Sequence, residues 1–132
     1  MRKPITIKNL GVCYAFPDLC WTSLPIVGRV PVPYTNIGQL SDVEDTADSV
    51  KVNGEPVVTS NSSISSTTGD EAGVHKGLIS EEIGEKVEFV SYSMTVKAEG
   101  HYVVRLGDIT TQNDGNAVGT VLGGFPTVLV GG

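Results

Sequence analysis

The sequence predicts a small all-β domain built from short hairpins, and three observations carry that expectation. Val90, Tyr92, Met94 and Val96 alternate with Ser91, Ser93, Thr95 and Lys97, a period of two that suits a half-buried strand. Asn53-Gly54 stands between two apolar runs, and both residues accept the positive φ that a tight hairpin turn requires. Sixteen glycines and seven prolines punctuate the 132 residues, and no apolar pattern of period 3.6 persists for long.

Taken in order, the chain opens on Met1-Arg2-Lys3-Pro4-Ile5-Thr6-Ile7-Lys8-Asn9, basic at its start but without an apolar run of signal-peptide length. No segment reaches the roughly 18 apolar residues of a membrane-spanning helix, so the expected compartment is the cytosol unless a machine exports the chain. Cys13 and Cys20 follow, then Pro25, Pro31 and Pro33. Pro31-Val32-Pro33-Tyr34 has two fixed φ angles and few donors; it reads as an extended strap or a preformed docking face that cannot sit mid-sheet. Ser41 to Asp48 is an acidic, solvated loop. Ser49 to Val52 and Pro56 to Thr59 flank the Asn-Gly turn. Thr59 to Thr68 is a serine-threonine run expected at an exposed edge or loop. Ser80 to Lys86 is the best short helix candidate, weakened by Gly84. His101 to Leu106 and Thr127 to Val130 are short apolar strands bounded by glycine.

A repeat links these pieces. Gly54-Glu55-Pro56-Val57-Val58, Gly100-His101-Tyr102-Val103-Val104 and Gly124-Phe125-Pro126-Thr127-Val128 each place a turn glycine three residues before a pair that starts a strand. The intervals of 46 and 24 residues exclude a solenoid and suggest three hairpins around one centre. The whole is one domain with a modest core.

Composition narrows the function. A net charge of -6 argues against nucleic acid and anionic membrane as partners, and 6% aromatics leave little for base stacking. Cys13 and Cys20 are spaced C-x6-C, outside the common zinc spacings, and His75 and His101 are the only histidines. Together the four make a chemically plausible tetrahedral donor set, since thiolate and imidazole suit Zn²⁺; the alternative is that Cys13 is a small core residue and His101 a strand-surface one. His75 lies in the glycine-bounded stretch Gly73-Val74-His75-Lys76-Gly77. Asp70 and Glu71 are adjacent and lack the paired geometry of general acid-base work. Asp18 and Asp108 each follow a turn-forming residue, where aspartate most often accepts backbone N–H bonds. No Ser-His-Asp constellation stands out, and Gly119 to Gly124 lacks the lysine and the helix of a phosphate loop.

Phe16-Pro17-Asp18-Leu19-Cys20-Trp21-Thr22 followed by Pro31-Val32-Pro33-Tyr34-Thr35-Asn36-Ile37 resembles the opening of PAAR-like domains, relatives of the proline-alanine-alanine-arginine repeat proteins that sharpen type VI secretion spikes. Further stretches match in order: Val50 to Val57 resembles the first glycine hairpin, Ser66 to Gly73 and Lys76 to Ser80 the central loop, and Glu99-Gly100, Val103 to Asp108 and Thr111 to Asn113 the late strand and turn. The resemblance runs from about Asn9 to Asn113.

The resemblance implies a small cone of β-hairpins with pseudo-threefold symmetry. Its base would cap a trimeric VgrG-like β-helix, one copy per trimer, and its point would lead the spike through a target membrane. It implies a metal near the point, zinc held by cysteine and histidine, with Cys20 at a motif position and Cys13, His75 and His101 close to motif residues. It also implies a non-enzymatic protein, monomeric when alone, made in the cytoplasm and exported on the apparatus. The domain would span residues 1–132 with no toxin extension, recruiting a separate toxin effector where it carries one. Two rivals remain open here: a small metal-dependent hydrolase using Asp70, Glu71, His75 and the cysteines, and an adaptor that loads a toxin through the acidic loop from Ser41 to Asp48.

Overall fold

The computed structural model describes residues 2–69, 77 and 86–132. At its centre three short segments, Ile5-Thr6-Ile7, Val57-Val58-Thr59 and Val103-Val104-Arg105, meet around one axis. Their backbones hydrogen-bond in a cycle. Thr6 N–H donates to the Val104 carbonyl, Val104 N–H to Val58 and Val58 N–H to Thr6, each at 3.0 Å. A second cycle runs outside the first, with Lys8 N–H donating to Pro56 (3.0 Å), Ser60 N–H to Tyr102 (2.8 Å) and Leu106 N–H to Pro4 (2.9 Å). Isolated bridges pair Ile5 with Arg105, Ile7 with Val57 and Thr59 with Val103. Each segment therefore satisfies its neighbours' backbone groups, and the triangle has no open edge.

Each segment begins as the end of a two-stranded pair and leaves into a longer one. β1 (Lys3–Ile5) leads through the first segment to β2 (Val12–Leu24) and β3 (Gly28–Gln39), a 3-10 turn at Leu40–Asp42, and β4 (Val43–Glu44). β5 (Ala47–Val52) turns into β6 (Glu55–Val57), which passes through the second segment to β7 (Ser63–Ile64) and β8 (Val87–Phe89). β9 (Lys97–Ala98) turns into β10 (His101–Tyr102), which passes through the third to β11 (Ile109–Gln112), β12 (Ala117–Leu122) and finally β13 (Phe125–Val130). β13 returns to pair with β1, so the chain's two ends build the third pair between them.

Two layers result. On one side of the triangle a sheet ordered β3-β2-β12-β11-β8-β7-β4 curls into a barrel. It closes because β3 runs on into β4 through the 3-10 turn, and Ile37 exchanges both backbone bonds with Thr68 (2.7 and 2.8 Å). Its core gathers Cys13, Leu40, Val43, Val58, Ile64, Val87, Phe89, Val104 and Val121. Cys13, Ile64 and Thr110 hold corresponding inward positions, paired across the sheet with Val121, Val43 and Phe89. On the other side the pairs β5–β6, β9–β10 and β13–β1 form a base around Ile5, Ile7, Ala47, Val57, Ala98, Val103 and Val130.

The base pairs share one irregularity. Lys51 lies opposite Pro56 but Ala47 opposite Val57, and Leu129 opposite Pro4 but Phe125 opposite Ile5. Lys97 lies opposite Tyr102, while Ser93 N–H reaches the Val103 carbonyl. Each outer strand thus advances four residues against one.

The all-β, pseudo-threefold expectation holds, with three local corrections. Gly124 to Val128 is not the third copy of the repeat. Lys3-Pro4-Ile5-Thr6-Ile7 fills that place, opposite Glu55-Pro56-Val57-Val58-Thr59 and His101-Tyr102-Val103-Val104-Arg105, and residues 125–130 supply its outer strand. Residues 90–96 form no strand, since they are one of the bulged connections. Ser93 is buried and its hydroxyl accepts from Val96 N–H (3.0 Å) and donates to Gly131 O (2.8 Å), while Val90 and Met94 face outward. The run from Thr59 to Thr68 is not simply exposed, because Thr59, Ser62, Ile64 and Thr67 are buried. The helix candidate at residues 80–86 lies, except for Lys86, outside the described residues.

Candidate functional site

Three regions have the makings of a site: the base, the far end of the barrel, and an arm beyond it. At the base, Val50, Val96 and Val128 occupy corresponding positions, each just before the residue that resumes pairing after the bulge. Val50 is 39% exposed and Val96 37%, and Val128 is half-buried against the base core. Val128 packs against the base core, and Val50 and Val96 present apolar surface at the equivalent places, so the base carries apolar side chains in threefold arrangement. Lys51 and Lys97 stand beside it, and the Lys97 ammonium lies 4.8 Å from the Tyr102 ring, which stacks on Tyr92.

The far end of the barrel is polar and buried. Asp18, Asn36, Thr67, Thr110, Gln112, Asn113 and Asn116 converge there. The Asp18 carboxyl oxygens accept from the side-chain amides of Asn36 (3.3 Å), Asn113 (3.4 Å) and Asn116. Asn116 also donates to the Leu19 carbonyl (2.9 Å). Gln112 donates to the Asn36 carbonyl and side chain, both at 2.9 Å, and accepts from Thr110. Amide groups can give and receive at once, so they satisfy strand ends where the barrel narrows and apolar side chains would leave carbonyls unpaired. Gly77 packs against Asn116 and bridges Cys20, and a Cβ there would lie 2.5 Å from the Asn116 side chain.

The four predicted metal ligands are not brought together by the described residues. Cys13 is in the apolar barrel core, where burial pushes its thiol up to about 12. Cys20 is buried at the polar end. Both lie on the inner face of β2 because one extra residue at Phe16-Pro17, a cis peptide, shifts the strand's register between Ala15 and Asp18. The two thiols are not joined. His101 is in the base layer, exposed beside Glu99 in a shallow cleft with Asp45, Thr46 and Asn61. His75, with Asp70 and Glu71, lies outside the described residues. Among the described residues, which do not include His75, no three His, Cys, Asp or Glu side chains gather as a metal site.

The predicted turn aspartates differ. Asp108 does accept a backbone bond, from Arg105 N–H (2.7 Å). It also takes the Arg105 guanidinium on both oxygens (2.9 and 3.0 Å) and the Ser91 hydroxyl (2.7 Å). Burial alone would raise this carboxyl, but those bonds outweigh it and hold it below the usual carboxylate range. Asp18 instead accepts side-chain amides. Glu99 is fully exposed and is held low by the hydroxyl and backbone N–H of Ser49. Sequence reasoning missed the amide cluster and the Arg105–Asp108 pair. The spacing of Arg and Asp three apart across a Gly107 turn was the available signal for the pair.

The family model described as the Toxin PAAR-like domain matches residues 11–119. Among curated proteins, DNase toxin Tse7 of Pseudomonas aeruginosa is 39% identical over 105 residues, covering 75% of this chain and 27% of the relative. The chain therefore spans about a quarter of the length of that relative. No solved structure matches. The matched segment begins just before β2 and ends within β12, taking in six of the barrel's seven strands and the first half of β12, and this chain belongs to the Toxin PAAR-like domain family.

Proposed function

We propose that this chain is the tip of a contractile injection spike, capping a trimeric VgrG-like β-helix through its base. The observation that carries this is the cyclic triangle of Ile5-Thr6-Ile7, Val57-Val58-Thr59 and Val103-Val104-Arg105, which gives one chain three nearly equivalent sides. A threefold partner ends in three identical strand ends that need identical neighbours. A pseudo-threefold monomer meets all three with one copy and leaves no strand edge bare. The ring of Val50, Val96 and Val128 supplies apolar area at matching positions.

The role is structural, not enzymatic: the chain works by shape and by what it carries. The curated relative is a DNase toxin, of which this chain matches about a quarter, and that supports travel with a toxin effector as cargo, out of the cytoplasm on the apparatus. A bound zinc ion belongs to the proposal, with Cys20 as a candidate ligand and His75, outside the described residues, as another, and zinc analysis of the purified chain beside Cys20→Ser tests it.

The test of capping is a titration of the cognate spike trimer followed by mass measurement of the complex. One chain per trimer is expected. No complex, or three chains per trimer, would overturn the proposal.

A further inference from the structure

Beyond the last barrel pair, β2 and β3 continue as a two-stranded arm from Asp18–Tyr34 to Leu24–Gly28, seven pairs long and projecting about 20 Å. Cys20, near its root, is buried and bridges Gly77, but toward the apex Leu24, Ile26 and Val27 are exposed, as are Leu19 and Trp21 on its side. Its apex is strained. Val27 N–H donates to the Pro25 carbonyl (2.8 Å) around Ile26, whose φ is +72°. A turn of that kind is rare, and a β-branched residue in it is a conformational outlier. Glycine or asparagine would make the same turn without the cost. Isoleucine there gains nothing within the chain, because its side chain is fully exposed.

The charge pattern says what the apex meets. Between Leu19 and Ser41 there is no carboxylate, and Arg29 is the one charged residue, although the chain as a whole carries -6. The arm therefore carries none of the carboxylates that would repel an anionic bilayer. The apex is convex, so it suits a surface that yields more than it suits a rigid pocket. Trp21 and Tyr34 stand behind it, the side-chain types that settle at a membrane interface.

We propose that the arm's apex, Leu24, Ile26 and Val27, inserts into the interfacial region of a lipid bilayer, with Trp21 and Arg29 at headgroup depth. Only side chains enter; the ribbon's backbone stays outside the hydrocarbon region. This goes beyond base docking and does not depend on it.

Trp21 is the only tryptophan in the chain, so its emission reports the arm directly. Vesicles of phosphatidylcholine containing phosphatidylglycerol should shift that emission to the blue, and brominated acyl chains should quench it. Ile26→Asn removes the apolar side chain and suits the left-handed turn. It should weaken vesicle partitioning about tenfold or more, while its melting temperature stays level or rises. Unchanged emission on adding vesicles, or equal partitioning of Ile26→Asn, would overturn the proposal. Retention of a toxin cargo by the wild type but not by Ile26→Asn, with no response to vesicles, would assign the apex to a protein instead. No spike protein is in the vesicle assay, so its failure is distinct from failure of the capping role.

Discussion

Arg105 and Asp108 show how one residue pair can hold a junction of layers. Arg105 ends the third segment of the triangle and Asp108 begins the turn into β11, and their side chains are almost wholly removed from water. The guanidinium and carboxylate pair on two oxygens, and the backbone N–H and the Ser91 hydroxyl supply further bonds. Asp108→Asn keeps the shape and leaves the guanidinium without its counter-charge, so a loss of about 3 kcal/mol or more is expected in urea unfolding near pH 7. The pH dependence follows from the lowered carboxyl. Its folded pKa lies below the unfolded value of about 3.9, so the contribution is complete above that value and is lost as pH falls through the folded pKa. The gap between wild type and variant should therefore narrow when the unfolding is repeated in acid. A gap that held constant would mean the pair does not carry the charge-linked stability assigned to it. Cys13 offers a second check. With its thiol pushed up to about 12 and no exposed surface, it should resist a thiol reagent at mildly alkaline pH until the protein unfolds. Rapid native labelling of Cys13 in a Cys20→Ser background would contradict that placement.

At the scale of elements, what was legible depended on whether the signal was local. Asn53-Gly54 specifies its own turn, and both residues have positive φ between β5 and β6. The alternation from Val90 to Val96 had the right period and the wrong partner, because a bulge and the Ser93 hydroxyl set that segment's course. The third repeat was hidden for a different reason: its strand is at one end of the sequence and its outer partner at the other, and no local window contains both. The amide cluster was invisible too, since Asp18 and Asn36 are far in sequence from Gln112 and Asn116, and no local window contains the set. Of the metal set, the residue types were readable but not the layers of Cys13, Cys20 and His101, which depend on the register shift in β2 and on the position of β10. Strand spacing yields its own prediction at Gly119, opposite Ala15 in β2. A Cβ there would meet the Tyr14 carbonyl at 2.5 Å and the Gln112 side-chain oxygen at 2.6 Å. Gly119→Ala should cost about 1–3 kcal/mol by overpacking, read from thermal or urea unfolding. A neutral result would mean the barrel is looser at its polar end than its hydrogen bonds require.

The whole molecule is organised by a symmetry that its sequence only partly shares. Lys3, Glu55 and His101 hold corresponding positions with unlike side chains, and the clefts beside Glu55 and His101 differ accordingly; Asn9 reaches Glu55 across one (2.9 Å). The equivalence is kept in the backbone cycle, the buried segment residues and the valine ring, and abandoned at the periphery. If the base caps a true trimer, the conserved geometry is what the partner meets, and the three valine positions should contribute alike. Val50→Asp and Val96→Asp each place a charge in an apolar contact, and each should weaken binding of a spike trimer by roughly tenfold or more. Both positions are partly exposed in the unbound chain, so the melting temperature should fall little. Val118, exposed on the barrel wall away from the base, is the control, and Val118→Asp should bind as the wild type does. The positions are on separate hairpins joined by the Ser49–Glu99 bonds, so the shortfall of the double variant from the sum of the two free energies measures their coupling. A result in which one valine carried the interaction and the other none would point to a partner that meets one side of the base. Threefold capping predicts near-equal losses, because every side of the triangle would face the same strand end.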